Sequence, residues 1–193
     1  MKSKITIYIL SAAALLTACG RGDSAKSYTS YVDPFIGTAA TGHTYPGAVL
    51  PFGMVSASPD THTEGWANCS GYHSDDTNIM GFAQTHMSGT GASDMGDIML
   101  MPVTGQPMFD PGPKEDPDKG YRSRFRHETE SARPGYYGVT LDDYGVDAEM
   151  TVTDRCAFYR FAYPAGKQAG VIFDLEHGIG DHPNECNITI VGD

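Results

Sequence analysis

Between residues 145 and 153 the chain alternates strictly, with Val146, Ala148, Met150 and Val152 on one side and Asp147, Glu149, Thr151 and Thr153 on the other. A period of two marks a β-strand with one buried face. Shorter apolar or aromatic runs at residues 52–58, 79–84, 97–103, 136–141, 155–163, 170–175 and 187–191 read as further strands. Turn-forming segments, Asp142-Asp143-Tyr144-Gly145 and Pro164-Ala165-Gly166, fall between the later ones. Prolines at 34, 46, 51 and 59 forbid a long helix near the start of the fold, and residues 105–120, with four more prolines, predict a long surface loop. No stretch carries a 3.6-residue apolar period of useful length. The pattern predicts an all-β fold, an antiparallel β-sandwich. Its last run, residues 187–191, reads as a strand under way where the sequence stops, so the sandwich is expected to be incomplete at its C-terminal end.

One apolar stretch lies outside this pattern. Residues 5–16, interrupted only by Thr6 and Ser11 and preceded by Met-Lys-Ser-Lys, are too few to span a bilayer and read as a secretory signal. The stretch runs into Leu16-Thr17-Ala18-Cys19-Gly20, which resembles a bacterial lipobox. Residues 1–18 are therefore expected to be a lipoprotein signal peptide, Cys19 the lipidation site, residues 19–30 a flexible tether and residues 31–193 the folded domain. Several acyl chains on one cysteine would hold the protein at the bacterial cell envelope, in the periplasm or at the outer membrane or cell surface, without spanning it.

Signal removal takes away two lysines and no acid, moving the formal charge from −11 to −13. That balance excludes nucleic acid as a partner. Cys69, Cys156 and Cys186 would remain beside Cys19, enough for at most one disulfide, and no Cys-x-x-Cys pair suggests structural zinc.

The chemistry concentrates in residues 65–97, GWANCSGYHSDDTNIMGFAQTHMSGTGASDMGD. The only tryptophan, Trp66, lies there with His73, His86, Asp75, Asp76, Asp94, Asp97 and five glycines after the first. Glycines let backbone approach backbone or ligand closely, carboxylates and imidazoles hold polar groups, and an indole offers a flat apolar face. The mixture suits a sugar ring; a glycine-rich loop system turning the corners of a β-protein would use the same residues.

Blocks spread over the chain follow one order: DPFIGT (residues 33–38), GHTYPGA (42–48), PFGMVSASPDT (51–61), GYH (71–73), GFAQTHMSGTG (81–91) and DMGDIMLMP (94–102). In these the chain resembles the N-terminal domain of glycoside hydrolase family 92, over nearly all of residues 31–193. The resemblance implies a supersandwich, galactose-mutarotase-like β-sandwich. It also implies membership of a calcium-dependent exo-α-mannosidase that inverts the anomeric centre. In that family an (α/α)6 barrel follows the sandwich and carries the catalytic carboxylates and most of the calcium site. Mannose-containing glycans and that barrel are the implied partners. No catalytic residue and no metal ligand is assigned to this chain, which is expected to be inactive alone. A stand-alone carbohydrate-binding module and a non-functional gene fragment are the competing readings.

Trp66, His86, His43 and Cys69 are the candidate substrate-binding residues. Trp66 reads as a stacking platform for a pyranose or as a core anchor. His43 and His86 read as partners of sugar hydroxyls or as ties between glycine loops, and Cys69 as a pocket wall or an inert buried thiol. An inverting glycosidase needs two carboxyl groups about 6.5 to 9.5 Å apart. Asp94 and Asp97, beside glycines ahead of an apolar strand, are read as satisfying local backbone donors instead. Calcium ligation by Asp75, Asp76 or Asp94 is chemically open but carries no EF-hand spacing. Asp33 and Asp60, next to prolines, are read as turn residues.

Overall fold

The computed structural model describes residues 27–192. The signal, the lipobox and Cys19 lie outside the described residues. Tyr31 opens the larger compact unit of the chain. Among the described residues no helix is long and apolar enough to cross a membrane.

That unit is all β, with eleven strands: β1 (Ala48–Val49), β2 (Ser56–Asp60), β3 (Asn78–Ile79), β4 (Gly81–Ala83), β5 (Met99–Thr104), β6 (Ser123–Arg124), β7 (Ser131–Arg133), β8 (Tyr136–Leu141), β9 (Val146–Val152), β10 (Ala157–Ala162) and β11 (Ala169–Asp174). One sheet has the order β1-β2-β4-β5-β11, a second β10-β9-β8-β7, and β3 with β6 forms a two-stranded ribbon. Every pairing is antiparallel.

The alternation at residues 145–153 becomes β9. Val146, Ala148, Met150 and Val152 are buried, while Asp147 and Thr151 face solvent. Strands β8 and β9 form the middle of their sheet and pack against β1, β2 and β5. Phe82, Met101, Ala57, Val139 and Leu141 complete the shared core. Burying one large apolar side chain contributes about 1.5 to 3 kcal/mol, so this apolar layer supplies most of the drive to fold.

The expected boundaries shift where backbone conformation intervenes. Residues 52–58 do not form one strand, because Leu50 to Gly53 make a turn closed by the Gly53 N–H donating to the Leu50 carbonyl at 3.0 Å. Phe52 sits in that turn with φ 62°, a left-handed conformation rare for an aromatic residue, and its side chain is fully exposed. The run at 79–84 splits into β3 and β4 where the Met80 N–H bonds the Asp60 carbonyl instead of a ladder partner. The expected strand at residues 187–191 is absent. Its residues form no ladder and Ile188, Ile190 and Val191 are exposed, since an extended segment becomes a strand only beside a neighbour with free N–H and C=O groups.

Candidate functional site

Three loops come together beside the larger sheet. The loop before β1 carries His43, the loop after β2 carries Trp66 and Cys69, and the loop after β4 carries His86 and Gly91. Backbone bonds fix their order. The Gly89 N–H donates to the His43 carbonyl at 2.5 Å, and the Ser70 hydroxyl donates to the Thr44 carbonyl at 3.0 Å. His43 is held at φ 53°, a strained conformation for a residue with a Cβ.

Trp66 begins a short 3₁₀ turn (Trp66–Asn68) behind Gly65, whose φ of 82° lets the chain enter it. The indole is 62 % exposed, so it is not a core anchor. The His43 ring packs against it nearly at right angles, at a centroid distance of 4.5 Å and an interplanar angle of 82°. Gly91 fits beside both rings, where a Cβ would lie 3.3 Å from His43 Nδ1 and 3.4 Å from Trp66 Nε1. Cys69 is buried under the turn, its thiol donating to the Trp66 carbonyl at 2.8 Å and receiving the Ser93 hydroxyl at 3.6 Å. Trp66, His43 and Cys69 thus form one cluster with an exposed indole. His43 Nε2 is buried there without a hydrogen-bond partner. An orphaned buried nitrogen costs about 1 to 3 kcal/mol, an expense expected where a ligand or a water completes the bond.

His86 is not part of that surface. Its ring is fully buried, in contact with Tyr45, with Nδ1 2.6 Å from the Ser56 carbonyl and Nε2 2.8 Å from Asp60 Oδ1. Asp60, expected at a turn, is the last residue of β2 and fully buried, because β2 is inside along its whole length. Its second oxygen takes a 2.7 Å bond from Nε2 of His177, a residue the sequence pattern did not single out. A carbonyl and a carboxylate are both acceptors, so each ring nitrogen of His86 faces an acceptor. A buried aspartate next to fully buried small residues was the available signal, but the histidines it meets are 26 and 117 residues away.

Asp60 ties β2, the loop after β4 and the loop after β11 together, and so sets the loop that presents Trp66. Burial alone would raise its pKa, but the His86 charge and the bonds from His177 and His86 outweigh burial and hold it at about 2, below the ordinary 3.8. The folded value is the lower one, so the stabilisation is complete above about pH 4 and is lost as the pH falls through about 2. The 193-residue chain is therefore expected to lose stability between those limits. Urea midpoints measured across that range check this; a flat profile there would contradict the ion pair.

The other carboxylates have local work. Asp94 accepts from the Met95 N–H at 2.8 Å and Asp97 from the Thr85 hydroxyl at 2.9 Å. Asp76 is paired with Lys114, and Asp75 is exposed beside His73. Asp33 caps its turn by accepting from the Phe35 N–H at 3.0 Å. Among the described residues no three His, Cys, Asp or Glu side chains are placed to share a metal ion. Cys69, Cys156 and Cys186 are free thiols.

Comparison with known proteins adds to this geometry. The model of the glycosyl hydrolase family 92 N-terminal domain matches residues 31–193. An uncharacterized secreted glycosidase of Arthroderma benhamiae is 40 % identical over 158 residues, covering 75 % of this chain and 19 % of that protein. A family GH92 α-mannosidase of Bacteroides thetaiotaomicron, solved in complex with mannoimidazole, superposes with a TM-score of 0.77 at 48 % identity, covering 78 % of this chain and 20 % of that one. An inverting GH92 mannosidase of the same organism gives a TM-score of 0.64 at 27 % identity, over 79 % of this chain and 20 % of its own. The chain spans about a fifth of the length of these relatives.

Proposed function

The chain belongs to glycosyl hydrolase family 92, as its N-terminal domain, and on that footing we propose that it forms one wall of the mannose-binding site of an α-mannosidase. The enzyme would remove terminal α-mannosyl residues from glycans with inversion. The acid that protonates the leaving oxygen and the base that activates water would both come from a partner (α/α)6 barrel domain, since Asp94 and Asp97 here are engaged in local bonds. Calcium would be held by that domain as well, where it would bind sugar hydroxyls through its affinity for oxygen. Secretion and attachment through a lipid on Cys19 fit the apolar run and lipobox at the N-terminus.

One observation carries this reading: an exposed indole packed at right angles to the His43 ring beside Gly91, with the buried His43 Nε2 unpartnered among the described residues. In the enzyme that carries this domain, Trp66→Ala is expected to lower kcat/KM on α-mannosides about tenfold, the equivalent of about 1.4 kcal/mol. The thermal midpoint should move little, because the side chain is mostly in solvent. The 193-residue chain on its own is expected to release no mannose with or without added calcium. Unchanged kcat/KM in the variant, or turnover by this chain alone, would refute the assignment.

A further inference from the structure

A cleft of about 440 Å³ opens where β11 ends, lined on one side by Phe109 and Asp110 and on the other by Glu176, His177, His182 and Glu185. We propose that it binds an organic ammonium group, at a site distinct from the Trp66 platform.

The argument starts from His177, which lines the cleft although only 5 % of the residue is exposed. Its Nε2 is committed to Asp60 at 2.7 Å. A carboxylate accepts, so Nε2 carries the proton and a neutral ring keeps its lone pair on Nδ1, for which the described residues supply no partner. His182 is fixed in the complementary sense, with Nδ1 donating to the Glu176 carbonyl at 3.0 Å and the lone pair left on Nε2. Asp174, which also lines the cleft, is already occupied: Oδ1 accepts the N–H groups of Glu176 and His177, and Oδ2 accepts the Tyr121 hydroxyl at 2.5 Å. What remains for a ligand is therefore a set of acceptors: two imidazole lone pairs, the Glu176 carboxylate and that of Glu185, whose Oε1 also accepts from the Asn187 amide at 3.1 Å.

Such a lining selects a donor, and its charge selects a cation. A metal ion is disfavoured because no three of the candidate ligands come close enough to share one. A protonated amine needs no common centre, since its N–H bonds point in three directions and its carbon chain can lie on an aromatic face. Phe109, mostly exposed at the rim, supplies that face.

The probe is 1,5-diaminopentane, titrated at constant ionic strength into the 193-residue chain and followed by amide chemical shifts, with 1,5-pentanediol as the neutral control. Saturable shifts are expected at residues 109–110 and 174–186. The double variant Glu176→Gln, Glu185→Gln should weaken binding at least tenfold, Phe109→Ala severalfold, and Trp66→Ala not at all. These carboxylates and Phe109 are exposed, so the variants should fold normally. Equal shifts with the diol, no saturation, or undiminished binding by the glutamine variant would overturn the proposal. Failure here leaves the mannoside reading untouched, because that reading is tested at Trp66.

Discussion

Asp60→Ala is expected to lower the unfolding free energy by about 3 to 5 kcal/mol, the cost of breaking a buried ion pair by removing one partner. Domains of this size hold about 5 to 15 kcal/mol in total. The loss follows from what is left behind: the buried Nε2 atoms of His86 and His177, each without the carboxylate oxygen it now bonds. Asp60→Asn should cost less. The amide carbonyl can accept from one ring, and its NH₂ can donate to the other once that histidine changes tautomer. Urea denaturation of the two variants gives the order directly. If alanine cost under about 1 kcal/mol, the network would not be the tie between loops described above.

The second large effect is expected at Gly71. Its φ is +79°, and a Cβ there would come within 1.9 Å of Asp60 Oδ1 and 2.9 Å of the Ile179 side chain. Gly71→Ala should therefore destabilise by about 3 kcal/mol or more, combining backbone strain of about 1 to 3 kcal/mol with overpacking against a fixed carboxylate. The loss should couple to Asp60. In the double variant with Asp60→Ala the nearer obstacle is gone and the backbone term and the Ile179 contact persist, so the summed single losses should exceed the double loss by more than about 0.5 kcal/mol. Simple additivity would mean that Gly71 is needed for its φ alone. Trp66, the only tryptophan, reports on the same loop, and its emission should shift in Gly71→Ala at temperatures where the sheets remain folded.

Much of the fold could be read in advance because its central strands carry the physical signal in their own residues. In β9 each second side chain is apolar, and in β8 and β10 aromatic and β-branched residues fill the strand. The short strands β1, β6 and β7 were not legible. Two or three residues hold no period, and they become strands only because an edge lies next to them. Phe52 shows the same limit in reverse, since an apolar run that reads as a strand is broken by a turn anchored elsewhere, through the Met54 N–H bond to the Asp154 carbonyl at 2.7 Å.

At the candidate site the sequence pointed to Trp66, His43 and Cys69 within loops rich in glycine, and the fold gathers these three. It also grouped His86 with them, and there composition was silent about depth: His73 and His86 look alike in a string of letters, while only His86 ends beside a buried carboxylate. Asp60 and His177 could not be paired from spacing at all.

The order of residues by itself determined that this chain makes antiparallel sheets and where its glycine-bounded polar loops fall, because strand alternation and turn chemistry are properties of neighbours a few positions apart. Tertiary structure alone decided which polar residues go inward, since a carboxylate is kept in the core only when two imidazoles from distant segments arrive to hold its charge. It alone decided, too, that the indole stays in solvent against the His43 ring, which depends on three loops closing within one another's reach.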